Sequence, residues 1–290
     1  MKRIWRWLAC FALLSGALPA HAEPLKVVAS FSILADLVKN VGGDKVSVTT
    51  LVGPDSDAHV YSPTPADAKK IADAKLIFVN GLGFEGWLPR LVQSSASKAA
   101  VVTVSEGIAP LRLGREADPH AWQSVAYAKV YVGNIARALI AADPAAAEPI
   151  SANTQAYIEK LDALDREVRD AVTKLPPERR KVISTHTAFG YFAASYGIEF
   201  VAPIGVSTES EPSARDIARI ITQVKQAKIP AVFLENISDP RLMRRISAET
   251  GARVGGTLYS DGLTGEKGDA PTYIDMVRHN IKTLARALGN

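Results

Sequence analysis

The sequence predicts an α/β fold with largely parallel sheets, arranged as two lobes of about four strands each. Short Val- and Ile-rich runs alternate with segments of helical periodicity, and the rhythm restarts after a strand-free stretch in the middle of the chain. With 290 residues, 47% hydrophobic and 22% charged, the chain is long enough for two compact units and too apolar for a disordered one.

Residues 1–22 come first and stand apart. Lys2, Arg3 and Arg6 precede an apolar stretch from Trp7 to Leu18, and Ala20-His21-Ala22 closes the segment, the layout of a cleaved secretory signal peptide. The apolar stretch is too short to cross a bilayer, which takes about 20 residues, and no later run approaches that length. Cys10 lies inside the segment with more apolar sequence after it, so it reads as part of the signal and not as a lipid-modified N-terminus. The remaining chain is expected to be exported, soluble and free of cysteine, which removes thiol catalysis and cysteine zinc sites. Without Lys2, Arg3 and Arg6, Lys+Arg falls from 34 to 31 against 30 acidic residues, a formal charge of +1 in place of +4. No basic block with interleaved aromatics follows, so no nucleic-acid partner is expected.

The first lobe is expected over residues 23–146. Leu25 to Ser30, Val46 to Leu51, Leu76 to Asn80 and Ala100 to Val104 read as strands, with helical segments at Ile33 to Val41, Pro65 to Ala74 and Gly86 to Ser94. Residues 147–175 carry Tyr157, Ile158, Leu161, Leu164, Val168 and Val172 at helical spacing opposite a charged face, and Pro176-Pro177 stops that helix. On pattern alone it is either a packed helix of a single domain or a spine between two lobes. Residues 176–290 repeat the strand rhythm at Lys181 to Thr185, Ile198 to Val201, Ala231 to Glu235 and Arg253 to Thr257.

Three histidines sit in comparable settings. His59 lies in a turn-rich segment after the strand ending at Leu51, His120 follows Asp118-Pro119 ahead of a helical pattern, and His186 directly follows a strand. Ligands of open α/β sheets bind outside the carboxyl ends of the strands, where His59 and His186 project. One loop histidine is most often a surface residue, but three in equivalent positions point to a shared metal site. Three neutral imidazoles call for a fourth, oxygen donor, and Asp261, after the last strand, is the best-placed candidate. His279 falls within the final amphipathic helix and reads as a surface or packing residue. Glu209 reads as an exposed glutamate, with a supporting role at the site as the weaker alternative.

Six segments carry a resemblance. They are Asp57-Ala58-His59-Val60-Tyr61-Ser62-Pro63-Thr64-Pro65, Asp118-Pro119-His120-Ala121-Trp122, Thr185-His186-Thr187-Ala188-Phe189-Gly190-Tyr191-Phe192, Glu209-Ser210-Glu211-Pro212-Ser213, Glu249-Thr250-Gly251-Ala252 and Tyr259-Ser260-Asp261. In this order they resemble the metal-binding substrate-binding proteins of zinc and manganese ABC importers, over essentially the whole exported chain. The resemblance implies two α/β lobes with four-stranded, mainly parallel sheets joined by a long rigid α-helix, and one metal ion in the cleft. His59 and His120 would come from the first lobe, His186 and Asp261 from the second. It also implies a non-enzymatic, monomeric periplasmic protein whose partner is the membrane permease of the importer. Two features depart from the family pattern: Thr187 stands where the motif usually has Asp, and Leu111 to Ala117 is short and histidine-free where zinc members often carry a His-rich loop.

A nitrogen-rich donor set favours Zn2+ over Mn2+ or Fe2+, which prefer more oxygen. A secreted zinc hydrolase is the competing class. It would need an open coordination position and a general base, and neither a His-Glu-x-x-His helix nor a Gly-x-Ser-x-Gly elbow is present.

Overall fold

The structure, a computed structural model, describes residues 23–289, and the export segment expected over residues 1–22 lies outside the described residues. The first sheet is built from β1 (Leu25–Phe31), β2 (Val46–Val52), β3 (Leu76–Val79) and β4 (Ala100–Thr103). Its order is β2-β1-β3-β4 and every pairing is parallel. A short antiparallel hairpin, β5 (Arg112–Leu113) with β6 (Glu116–Ala117), occupies the short, histidine-free segment Leu111 to Ala117. Gly114 turns it with a left-handed φ of 64°, which costs a residue without Cβ little. The second sheet comprises β7 (Lys181–Ile183), β8 (Glu199–Val201), β9 (Ala231–Glu235) and β10 (Arg253–Leu258) in the order β10-β9-β7-β8, again all parallel.

Helices α1 (Ser32–Gly42), α2 (Pro65–Ala72) and α3 (Leu88–Ser94) alternate with the first sheet, and α6 (Gly190–Tyr196), α7 (Ala214–Gln226) and α8 (Arg241–Thr250) with the second. Their ends follow local chemistry. Thr64 and Asp67 form a reciprocal capping box ahead of α2, with Pro65 at its first position, and Ser213 with Asp216 does the same for α7.

Three longer helices lie between the sheets: α4 (Val125–Ala142), α5 (Ala147–Thr173) and α9 (Tyr273–Leu288). The 27-residue α5 spans about 40 Å at 1.5 Å per residue. Its apolar stripe, Ile150, Tyr157, Leu161, Leu164, Val168 and Val172, is buried along its whole length against α1, α4 and α9. It ends at Thr173, three residues before the proline pair, and the Arg180 guanidinium donates to the free carbonyls of Thr173 and Leu175. The two readings of this helix therefore merge: it joins the halves and is also packed throughout.

One hydrophobic core runs from Val27 and Phe78 of the first sheet through Leu34, Tyr131, Leu161 and Met276 to Phe233 and Leu258 of the second. Smaller clusters cover the outer faces, Ile71, Ile77 and Leu91 under α2 and α3, and Ile183, Val232 and Ile246 under α7 and α8. Burial on both faces explains why inner strands such as β3 and β9 read as continuous apolar runs, while the edge strand β4 is largely exposed. Among the described residues, no helix is long and apolar enough to cross a membrane.

Candidate metal centre

Parallel strands deliver their carboxyl ends to one edge of each sheet, and the loops leaving those edges converge. His59 lies in the segment between β2 and α2, and His120 stands between β6 and a short 3-10 turn over Ala121–Gln123 that leads into α4. His186 follows β7, its backbone bridged to Ile204, and Asp261 follows β10. The four sequence-predicted residues come together, each offering one donor atom, with all four atoms within 4.8 Å of one another. His120, His186 and Asp261 are fully buried, and His59 is 7% exposed.

The spacing is specific. The Nε2 atoms of His59 and His120 are 3.2 Å apart, and those of His120 and His186 3.3 Å. Asp261 Oδ2 lies 3.4 Å from His59 Nε2 and 3.1 Å from His186 Nε2, and Oδ1 lies 3.5 Å from His120 Nε2. A tetrahedral ion bonded at about 2.0–2.1 Å separates its ligands by about 3.3–3.4 Å, so these separations are those of an ion-sized cage. Neither carboxylate oxygen of Asp261 has a hydrogen-bond partner, an expensive arrangement for a buried anion unless a cation completes it.

Two further carboxylates orient the rings. Asp118 Oδ1 accepts from both the backbone N–H and the Nδ1 of His120, at 2.9 and 2.8 Å. Glu235 Oε2 accepts from His186 Nδ1 at 2.5 Å and from Ser260 Oγ at 3.0 Å, while its Oε1 takes the backbone N–H groups of Thr185 and His186. A carboxylate can only accept, so the ring proton sits on Nδ1 and the Nε2 lone pair of each neutral ring faces inward. Among the described residues, His59 has no such carboxylate; its ring packs on the Phe84 edge at 4.7 Å. Phe31, Phe84 and Trp122 form an aromatic wall beside the cage.

The charges are strongly coupled. Burial penalises the Asp261 carboxylate, but His186 and His120 outweigh it and hold Asp261 well below the usual carboxylate range. Burial likewise opposes a charged His186, yet Glu235 and Asp261 hold that ring well above its ordinary value. At His120 burial wins, and the ring is pushed below its ordinary value despite Asp261 and Asp118.

The chain matches the family described as "ZnuA: Zinc-uptake complex component A periplasmic" over residues 27–287. It belongs to that family. ZnuA-family proteins are transport substrate-binding components and not enzymes. The chain is 37% identical over 274 residues to the iron-binding protein YfeA of Yersinia pestis, covering 92% of this chain and 88% of that one. It is 38% identical over 268 residues to the manganese-binding lipoprotein MntA of Halalkalibacterium halodurans, covering 92% and 89%. The solved periplasmic zinc-binding protein TroA of Treponema pallidum superposes with a TM-score of 0.88 at 34% identity, covering 92% of this chain and all of that one.

Other positions resolve as follows. Glu209 is exposed and does not reach the cage, its backbone N–H bonding Ser207 Oγ. His279 packs edge-on against Tyr259 and bonds the Thr257 carbonyl, a packing residue of this ZnuA-family fold. Thr187, the departure from the family motif, turns its hydroxyl to the Ile204 carbonyl and makes no bond to His186. Sequence reasoning missed Glu235 and Asp118 as orienting groups. Asp118 was open to discovery, two residues before a candidate histidine; Glu235 lies 49 positions from its ring and ends an apolar strand, with no local signal of its role.

Proposed function

We propose that this ZnuA-family protein captures one Zn2+ ion outside the cytoplasmic membrane and delivers it to the permease of an ABC importer. The Nε2 atoms of His59, His120 and His186 and the carboxylate of Asp261 are the proposed ligands. The protein acts as a monomer, exported to the periplasm by residues 1–22. The observation that carries this reading is the unpartnered, buried Asp261 carboxylate facing three imidazole nitrogens at ligand-to-ligand spacing. Three neutral nitrogens and one carboxylate leave a net +1 around a divalent ion, so burial is partly offset. Four donors complete a tetrahedron and leave no open position for a catalytic water, which supports cargo binding over hydrolysis.

Zinc is favoured over manganese and iron by the nitrogen-rich donor set and the Irving–Williams order. Calorimetric competition on metal-free protein is expected to give one ion per chain, with Zn2+ displacing Mn2+ and Fe2+. Displacement of Zn2+ by Mn2+ at comparable concentration would reassign the cargo, and several ions per chain would indicate storage.

Proton linkage supplies a second test. Glu235 and Asp261 hold His186 well above its ordinary value, so a proton competes with the ion for its Nε2. The ion must displace that proton, so affinity falls as pH drops, by about tenfold per pH unit while one proton is exchanged. Titrations at a pH where affinity is falling, run in two buffers of different ionisation enthalpy, should differ by the heat of the released proton. Identical apparent enthalpies would contradict it.

A further inference from the structure

We infer that Thr208 is a positioning residue for His59, acting across the cleft through Asp57, and that His59 is the donor whose departure opens the site. The inference rests on the metal-binding reading above.

Two of the four donors, His120 and His186, have rings fixed by buried hydrogen bonds, and the backbone beside Asp261 is held through the Ser260 carbonyl. The His120 segment is tied to both halves of the molecule: Asn80 Nδ2 donates to the Pro119 carbonyl, and Trp122 Nε1 and Gln123 Nε2 both donate to the Ser260 carbonyl beside Asp261, at 2.9 and 2.7 Å. Tyr191 donates from its hydroxyl to the Asp118 carbonyl, and Ser195 bonds Ser124. His186 is clamped through its ring and its backbone by Glu235.

His59 is held differently. Its ring has no carboxylate behind it, it alone of the four donors retains some exposure, and the next residue, Val60, is 51% exposed. Its backbone N–H donates to Asp57 Oδ1 at 2.8 Å, and the other oxygen of the same carboxylate accepts from Thr208 Oγ1 at 2.6 Å. Asp57 is thus a two-bond link from the second half of the chain to the His59 backbone. Trp87 Nε1 holds the neighbouring Ala58 carbonyl from the first-sheet side at 2.8 Å, and Asp55 is tied to the second half by its N–H on the Leu263 carbonyl and by Asn236 Nδ2 on its Oδ1, so Asp57–Thr208 is the cross-half hydrogen bond nearest to His59 along this segment. Against this link lies an open cavity of about 460 Å³, with Asp57 and Thr208 on its wall and Thr185, the neighbour of His186, also lining it. Loss of one hydroxyl contact therefore loosens the backbone of the least buried of the four donors.

The test compares Thr208→Val, which keeps the shape and removes the hydroxyl, with Thr208→Ser, which keeps the hydroxyl. Zinc dissociation into a chelator is followed by stopped flow, and amide hydrogen exchange is followed on metal-free protein. Thr208→Val is expected to speed dissociation about tenfold or more, the scale of one hydrogen bond to a charged acceptor. It should also lower the protection of the His59 amide, while Thr208→Ser stays within about twofold of the parent chain. Parent-like dissociation and His59 protection in Thr208→Val would overturn the inference. A parent chain that binds no zinc would instead defeat the metal-binding reading, and the exchange measurement would still decide whether Thr208 restrains His59.

Discussion

Replacing His120 with alanine is expected to weaken zinc binding by more than about 100-fold while the chain remains folded. Loss of a group that merely supports a ligand costs about 10–100-fold in metal affinity, and loss of a ligand costs more. His120 supplies one corner of the cage: its Nε2 is within 3.5 Å of His59 Nε2, His186 Nε2 and Asp261 Oδ1. The aromatic neighbours Phe84 and Trp122 offer no donor atom, and Asp118 lies on the Nδ1 side of the ring, away from the cage. The fold should survive, since the segment keeps its bonds through Pro119, Trp122 and Gln123. Calorimetry for affinity and circular dichroism for the fold check it, and an unchanged dissociation constant would remove His120 from the ligand set.

Glu235 gives the second large effect, and two substitutions separate its roles. Glu235→Ala strips acceptors from two backbone N–H groups, the Ser260 hydroxyl and the His186 ring, all buried, and should destabilise the fold by about 3–5 kcal/mol. Glu235→Gln can keep one oxygen on the backbone donors but then presents an amide N–H to His186 Nδ1. The ring must move its proton to Nε2, the atom proposed to bind the ion, so affinity should fall by about 10–100-fold with a smaller loss of stability. Asp118→Asn should be milder, because one oxygen, Oδ1, serves both bonds to His120 and the amide can retain it. Equal effects of Glu235→Gln and Asp118→Asn on zinc affinity would contradict this assignment of tautomers.

Much of this arrangement was legible in the residues. Strand runs such as Ala231–Glu235 are apolar on both faces because helices cover both, so they announce themselves without alternation. His59, His120 and His186 are legible because each stands where a strand or proline-marked turn releases the chain. Glu235 was not, since its role depends on β9 lying beside β7, a pairing fixed by tertiary packing. The Asp57–Thr208 contact is hidden for the same reason, its partners being 151 residues apart. The hairpin over Arg112–Ala117 carries too few residues for a two-residue period to register.

The packed central helices bear on how a transporter could tell a loaded carrier from an empty one. Phe78 of one sheet and Phe233 of the other belong to a single continuous interior, with α5 buried end to end between them. Swinging the halves apart would tear that interior open, whereas moving the loops that carry the donors leaves it closed. Under the proposed function, the loops that carry His59, His186 and Asp261 are then where loading would show.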